Sequence, residues 1–285
     1  MLHLPRDGLL LPYLMETPAL DLGNLRKVAF LGGIYSNHLA LAEALTLARG
    51  RCVDQTWALG DFGAFGPHPD RTVEILREAR IPAIQGNYEE SLSSGADDCH
   101  CGYTDPRDND FAQISYDYTR QKTSAEHAAW MGALPLSARL RIGGRRVLLS
   151  HGSPRKINEF LWQSTTSRAF LHKLLADVDA DVIVCTHTGL PWERWLSPGR
   201  GIVNVGALGR PANDGETNVW FAVLSADRER GLVTEFVPVV YDHERLAREM
   251  QDESLPGEFI ETIRTGWWTT CLEVLPAKER ARGRY

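Results

Sequence analysis

Four short segments constrain this chain most, each placed where an apolar run should give way to a loop: Gly60-Asp61, Gly86-Asn87-Tyr88-Glu89, Ser150-His151-Gly152 and Thr186-His187-Thr188-Gly189. An apolar run that stops at glycine and a polar group reads as a buried strand feeding a loop. Repeated along one chain, the pattern implies an α/β fold whose strand ends converge on one edge, where such folds place their sites. Asp61, Asn87, His151 and His187 would then share one pocket. One carboxylate, one amide oxygen and two imidazoles suit a hard-to-borderline divalent cation (Mn²⁺, Fe²⁺ or Zn²⁺) better than a thiolate-seeking metal.

The surrounding pattern supplies the elements. A strand is expected over Lys27 to Leu31, then a tight loop and an amphipathic helix from Asn37 to Ala48 with Leu41, Ala42 and Leu45 on one face. The unit recurs as the strand Gln55 to Leu59, the loop Gly60 to Pro69 and the helix Asp70 to Arg80, and a third strand, Ala83 to Gln85, leads into Asn87. Helices are expected over Asp105 to Arg120 and Ser124 to Gly132, and a hairpin turning at Gly143-Gly144 leads into His151. A helix over Thr166 to Asp177 precedes the strand Asp181 to Cys185, and Gly201 to Val205, Asn218 to Leu224 and Leu232 to Val239 read as strands of a second sheet. The expected architecture is α/β, with two sheets packed face to face between helices. Residues 1–240 are read as the main domain and 241–285 as a helical extension packed on it.

With 285 residues, 43% of them apolar, the chain can bury a full core. A net charge of −6 opposes general binding to nucleic acid or anionic membranes, which needs a basic surface. The beginning lacks a signal-peptide pattern and no apolar run approaches the roughly 20 residues of a membrane helix, so a cytoplasmic location is expected. Five cysteines fit a reducing compartment better than a disulfide framework. A homo-oligomer is compatible with the sequence.

From Lys27 to about Pro211 the four segments resemble the calcineurin-like metallophosphoesterase family, in particular its small bacterial phosphodiesterase branch. Its motifs run roughly D-x-H, G-D, G-N-H-[DE], G-H or S-H, and G-H-T-H, with two metals bridged by the G-D aspartate. The resemblance implies the two-sheet αββα sandwich of that family. Here Gly33 stands at the first aspartate, Tyr35 at the first histidine, Tyr88 at the third-motif histidine and Gly189 at the last histidine. Gly33, Tyr35 and Gly189 fall on the positions of all three non-bridging ligands of one metal site in the family scheme. The resemblance therefore implies a half-emptied binuclear centre in which Asp61, Asn87, His151 and His187 hold one ion.

Further candidates surround this core. Tyr88, together with Asn87 and His151, is a candidate catalytic group, as proton donor to a leaving alcohol, although a phenol near its ordinary pKa of about 10 is a weak acid catalyst. Arg210, in a glycine-rich segment similar to one that closes the family's pocket, and Asn37 are candidate phosphate contacts. Tyr35 either fills space or ligates a ferric ion as phenolate. His38 either substitutes as a ligand or is a surface helix histidine. Cys99-His100-Cys101 has C-x-C rather than zinc-finger spacing, so buried thiols are the simpler reading, with Cys271 able to approach in space. The leading expectation is a metal-dependent phosphoesterase acting on a small phosphorylated molecule, a diester or activated phosphate. The alternatives are a non-hydrolytic relative that binds a phosphorylated ligand or partner, and different chemistry at a single transition metal.

Overall fold

The computed structural model describes residues 24–281. A six-stranded sheet is ordered β1-β4-β5-β6-β8-β7: β1 (Asn24–Leu25), β4 (Ser137–Ile142), β5 (Arg145–Ser150), β6 (Val182–Cys185), β8 (Arg200–Val205) and β7 (Pro191–Ser197). A four-stranded sheet is ordered β10-β9-β2-β3: β10 (Gly231–Val239), β9 (Val219–Asp227), β2 (Lys27–Leu31) and β3 (Gln55–Ala58). Strands β2 and β3 are parallel, as are β5, β6 and β8, so their carboxyl ends lie on common edges.

Period-two alternation decides which layer each side chain enters. Val28 and Phe30 of β2 point between the sheets, where they meet Val147 and Leu149 of β5, Val182 and Val184 of β6, and Val203 and Val205 of β8. The intervening Ala29 and Leu31 face outward onto helix α1 (His38–Gly50), against Leu41, Ala44, Leu45 and Ala48. On the other outer face, Leu148, Ile183 and Ile202 pack against Leu171, Leu174 and Leu175 of α6 (Arg168–Asp177). Each strand thus shares its two faces between two cores, as an αββα sandwich requires. Full burial of Phe30 or Leu149 is worth about 1.5–3 kcal/mol apiece.

Elements near the site follow the sequence with small changes. Helix α2 spans Pro69–Glu78, with proline pre-set for its first turn. α4 (Pro106–Lys122) is capped by Asp105, and α5 (Ala125–Gly132) by Ser124. The segment expected as a third strand makes only a single bridge, between Ala58 and Ala83, and then enters helix α3 (Asn87–Ser94) directly. The second-sheet expectation is also corrected. Only β9 and β10 join β2 and β3, whereas β8 pairs with β6 in the larger sheet, because its apolar residues complete the parallel run.

Helices α7 (His243–Asp252) and α8 (Gly257–Thr265) lie on the outer face of the smaller sheet. They bury Leu246, Met250, Phe259 and Ile263 in the same core as α1. A short α9 (Ala277–Arg280) follows. No helix among the described residues is long and apolar enough to cross a membrane.

Candidate metal centre and cavity

Asp61, His151 and His187 converge at the strand ends. Asp61 follows β3 after Gly60, whose φ of +88° and approach to Gly86, 2.2 Å from where a β-carbon would stand, leave room for glycine alone. Asp61 itself is held at a positive φ of 55°. The constraint comes from Glu89, whose buried carboxylate accepts the backbone N–H groups of Asp61 (2.7 Å), Phe62 (2.9 Å) and Gly86 (2.7 Å). One side chain thus locks two motif loops together. Burial, then the charge of Asp61, pushes the Glu89 pKa up to about 7.

His151 leaves β5 and donates from Nδ1 to the Leu59 carbonyl at 2.6 Å, which turns Nε2 toward Asp61 Oδ2 at 3.2 Å and His187 Nδ1 at 3.1 Å. Burial alone would lower the His151 pKa and raise that of Asp61, but each outweighs this for the other, so His151 is raised and Asp61 lowered. Burial, then the neighbouring His151, pushes His187 down to about 3. A neutral imidazole, a second imidazole and a carboxylate aimed at one point call for positive charge between them. Asn87, at the start of α3, is also buried: its amide nitrogen donates to the Cys99 carbonyl at 2.8 Å, and its Oδ1 has no hydrogen-bond partner. An amide oxygen left bare in this position costs roughly 1–3 kcal/mol, and a cation removes the cost. The chemistry of Asp61, His151 and His187, with the bare Asn87 oxygen, suits a hard-to-borderline divalent ion.

The opposite half of the pocket is filled by protein. A β-carbon on Gly33 would lie 2.5 Å from Cζ and 2.8 Å from the hydroxyl of Tyr35. Gly189 has φ +72°, and a β-carbon there would lie 3.4 Å from the Trp268 ring. Burial, then Asp61, raises the Tyr35 pKa far above the ordinary range, and its ring fills the space beside Gly33.

Beside the ligands opens a cavity whose empty volume, open solvent included, is ≈ 520 Å³. Asp61, Tyr88, His187 and Arg210 line it together with Phe65, Phe259 and Cys271. Arg210 is buried, with its guanidinium carbon 3.8 Å from the Trp268 ring centre and 5.2 Å from that of Phe65, and one terminal nitrogen donates to the Thr270 carbonyl. Its Nε has no partner. The Tyr88 hydroxyl meets Ser115 Oγ at 3.0 Å, and burial raises its pKa well above the ordinary value.

Three expectations are corrected. Asn37 is not a phosphate contact: its Oδ1 caps α1 by accepting from Ala40, and its amide donates to the Leu208 carbonyl. His38 is neither a ligand of this centre nor a surface residue, being 2% exposed and turned toward His68 and Glu249. Cys99 and Cys101 are joined in a disulfide rather than free, and Cys271 is a buried thiol. Sequence reasoning missed Glu89 and Ser115. Glu89 could have been found from its place three residues after Gly86, the spacing of a capping carboxylate.

Fold and site define a two-sheet α/β protein with a buried cluster of candidate metal ligands at its strand ends. Residues 27–229 match the calcineurin-like phosphoesterase superfamily domain, and the chain belongs to that family. It is 23% identical over 245 residues to an uncharacterised protein of Methanocaldococcus jannaschii, a match covering 80% of this chain and 93% of that one. Among solved structures it is similar to a metallophosphoesterase from Sphaerobacter thermophilus, with TM-score 0.65, 24% identity and coverage of 85% of this chain and 100% of the other. It also resembles a hypothetical protein from Pyrococcus horikoshii, with TM-score 0.71, 20% identity and coverage of 85% and 99%. These structural likenesses support the fold.

Proposed function

We propose that this chain is a phosphoesterase that works with one divalent ion held by Asp61, Asn87, His151 and His187, and that its substrate is a small phosphodiester or an activated phosphate. The observation that carries the reading is the asymmetry of the pocket: three convergent ligands and the unpartnered amide oxygen of Asn87, against the Tyr35 ring packed at Gly33. When bound, such an ion supplies Lewis acidity toward a phosphoryl oxygen. Arg210, fixed between Trp268 and Phe65, would orient the anionic group through its unpartnered Nε.

As water forms the new P–O bond and the ester bond breaks, Tyr88 would give its proton to the departing alcohol, and the proton released by the water would restore the phenol by way of Ser115. Its raised pKa keeps the proton in place at neutral pH and also makes it a reluctant donor, which favours substrates with good leaving groups. Loss of one metal site weakens charge neutralisation, which argues against stable monoesters.

The filled half-site also favours a second reading, a relative that binds a phosphorylated ligand without turnover. Metal analysis of the purified protein, combined with a screen of nitrophenyl and nucleotide diesters under Mn²⁺, Fe²⁺ and Zn²⁺, separates the two. Turnover abolished by Asp61→Ala supports the first. Saturable binding of a phosphoester with no turnover under any metal supports the second.

A further inference from the structure

A second convergence of ligating atoms lies outside the candidate centre, and none of its members lines the cavity described above. His38, in the first turn of α1, is 2% exposed, and neither of its ring nitrogens has a hydrogen-bond partner. His68 is the N-cap residue of α2 and makes no side-chain cap bond. Glu249, on α7, directs Oε1 to Arg245 Nε at 2.9 Å, while its buried Oε2 has no hydrogen-bond partner. That free oxygen lies 3.2 Å from His68 Nε2 and 3.6 Å from His38 Nε2. The rings of His38 and His68 meet edge to face with centres 5.3 Å apart.

These separations have a simple meaning. Two atoms held about 2.0–2.1 Å from a tetrahedral ion are about 3.3–3.4 Å apart. The two oxygen-to-nitrogen distances bracket that value, yet His38 Nε2 and Glu249 Oε2 form no hydrogen bond with acceptable geometry. Two imidazoles and a carboxylate are a ligand set typical of Zn²⁺ sites that keep one position open.

We propose that His38, His68 and Glu249 form a second, separate cation site, a three-ligand seat for a borderline divalent ion such as Zn²⁺. Its ligands come from the starts of α1 and α2 and from α7. An ion there would cross-link the helices that follow the Tyr35 and Asp61 loops to the segment that contributes Phe259, Thr270 and Cys271 to the cavity. Burial, with Arg71, His68 and Arg245 acting in the same direction against Glu249, lowers the His38 pKa to about 4, so its imidazole is neutral and able to ligate at neutral pH. Arg71 and Arg245 disfavour a cation, and the bond from Arg245 to Oε1 leaves Oε2 as the coordinating atom. The inference does not rest on the activity proposed above.

The full-length chain is stripped with chelator, loaded with Zn²⁺ alone, desalted and assayed for zinc by elemental analysis. Wild type and His68→Gln are compared, and His68 is partly exposed, so its replacement leaves the core intact. The same pair is measured in an Asp61→Asn, His151→Ala background that empties the candidate centre. The expected result is one zinc per chain fewer with His68→Gln in either background, together with loss of the zinc-dependent rise in thermal midpoint. Equal zinc content with and without His68→Gln overturns the proposal. So does a folded Asp61→Asn, His151→Ala protein that retains no zinc.

Discussion

The phenol ring of Tyr35 lies where a side chain on Gly33 would have to go: a β-carbon added to Gly33 falls 2.5 Å from Tyr35 Cζ. The two residues are one exchange, since the ring fits only over glycine. Gly33→Asp alone is expected to cost several kcal/mol, as overpacking and a buried charge combine. Gly33→Asp with Tyr35→His should recover most of that loss. Urea denaturation of both single variants and the double variant gives the coupling. A Gly33→Asp protein as stable as wild type would mean that the ring moves freely.

Glu89 offers three buried N–H groups one carboxylate. Glu89→Gln places an NH₂ group against a donor and is expected to destabilise the fold by about 2–4 kcal/mol. It should also reduce metal retention at Asp61, because the Asp61 loop loses its tie. Chemical denaturation together with elemental analysis tests both, and unchanged metal affinity would show that the loop holds its shape without the tie.

Arg210 combines ring stacking with a fixed planar fork. Arg210→Lys keeps the charge and loses the fork, so KM for a turned-over phosphoester should rise roughly ten-fold while kcat stays within about three-fold. A kcat loss equal to the loss in kcat/KM would move the role of Arg210 to the transition state.

Asp181 has a pKa held below its ordinary value: burial opposes this, but side-chain and backbone bonds from Arg146 outweigh it. A depressed folded value means that the folded chain binds fewer protons. The contribution is therefore full above the unfolded carboxylate value of 3.8 and is lost as pH falls through the lower folded value. The stability difference between wild type and Asp181→Asn should be constant from pH 7 to about 5 and shrink below about 4. A difference that grows on acidification would reverse the assignment.

The site was legible in the sequence to the extent that local spacing sets it. The loops carrying Asp61, Asn87, His151 and His187 each follow a strand or turn whose apolar pattern is short and unambiguous, and Arg210 lies on the cavity wall as its segment suggested. Asn37 was misread because a helix cap and a ligand contact use the same amide, and only the Ala40 and Leu208 partners distinguish them. The placement of β8 was hidden for a different reason. A buried parallel strand is a plain apolar run that carries no mark of which sheet it joins. His38 and Glu249 are separated by most of the chain, and no spacing rule connects them.

Phe259, Thr270 and Cys271, on the far wall of the cavity, all come after the last ligand, His187. During synthesis the loops that carry the candidate ligands therefore leave the ribosome before this part of the cavity lining exists. A chain ending near residue 240 would lack that part of the lining, although Asp61, His151 and His187 would already be present. The cavity lining is thus completed only by the part of the chain that is made last.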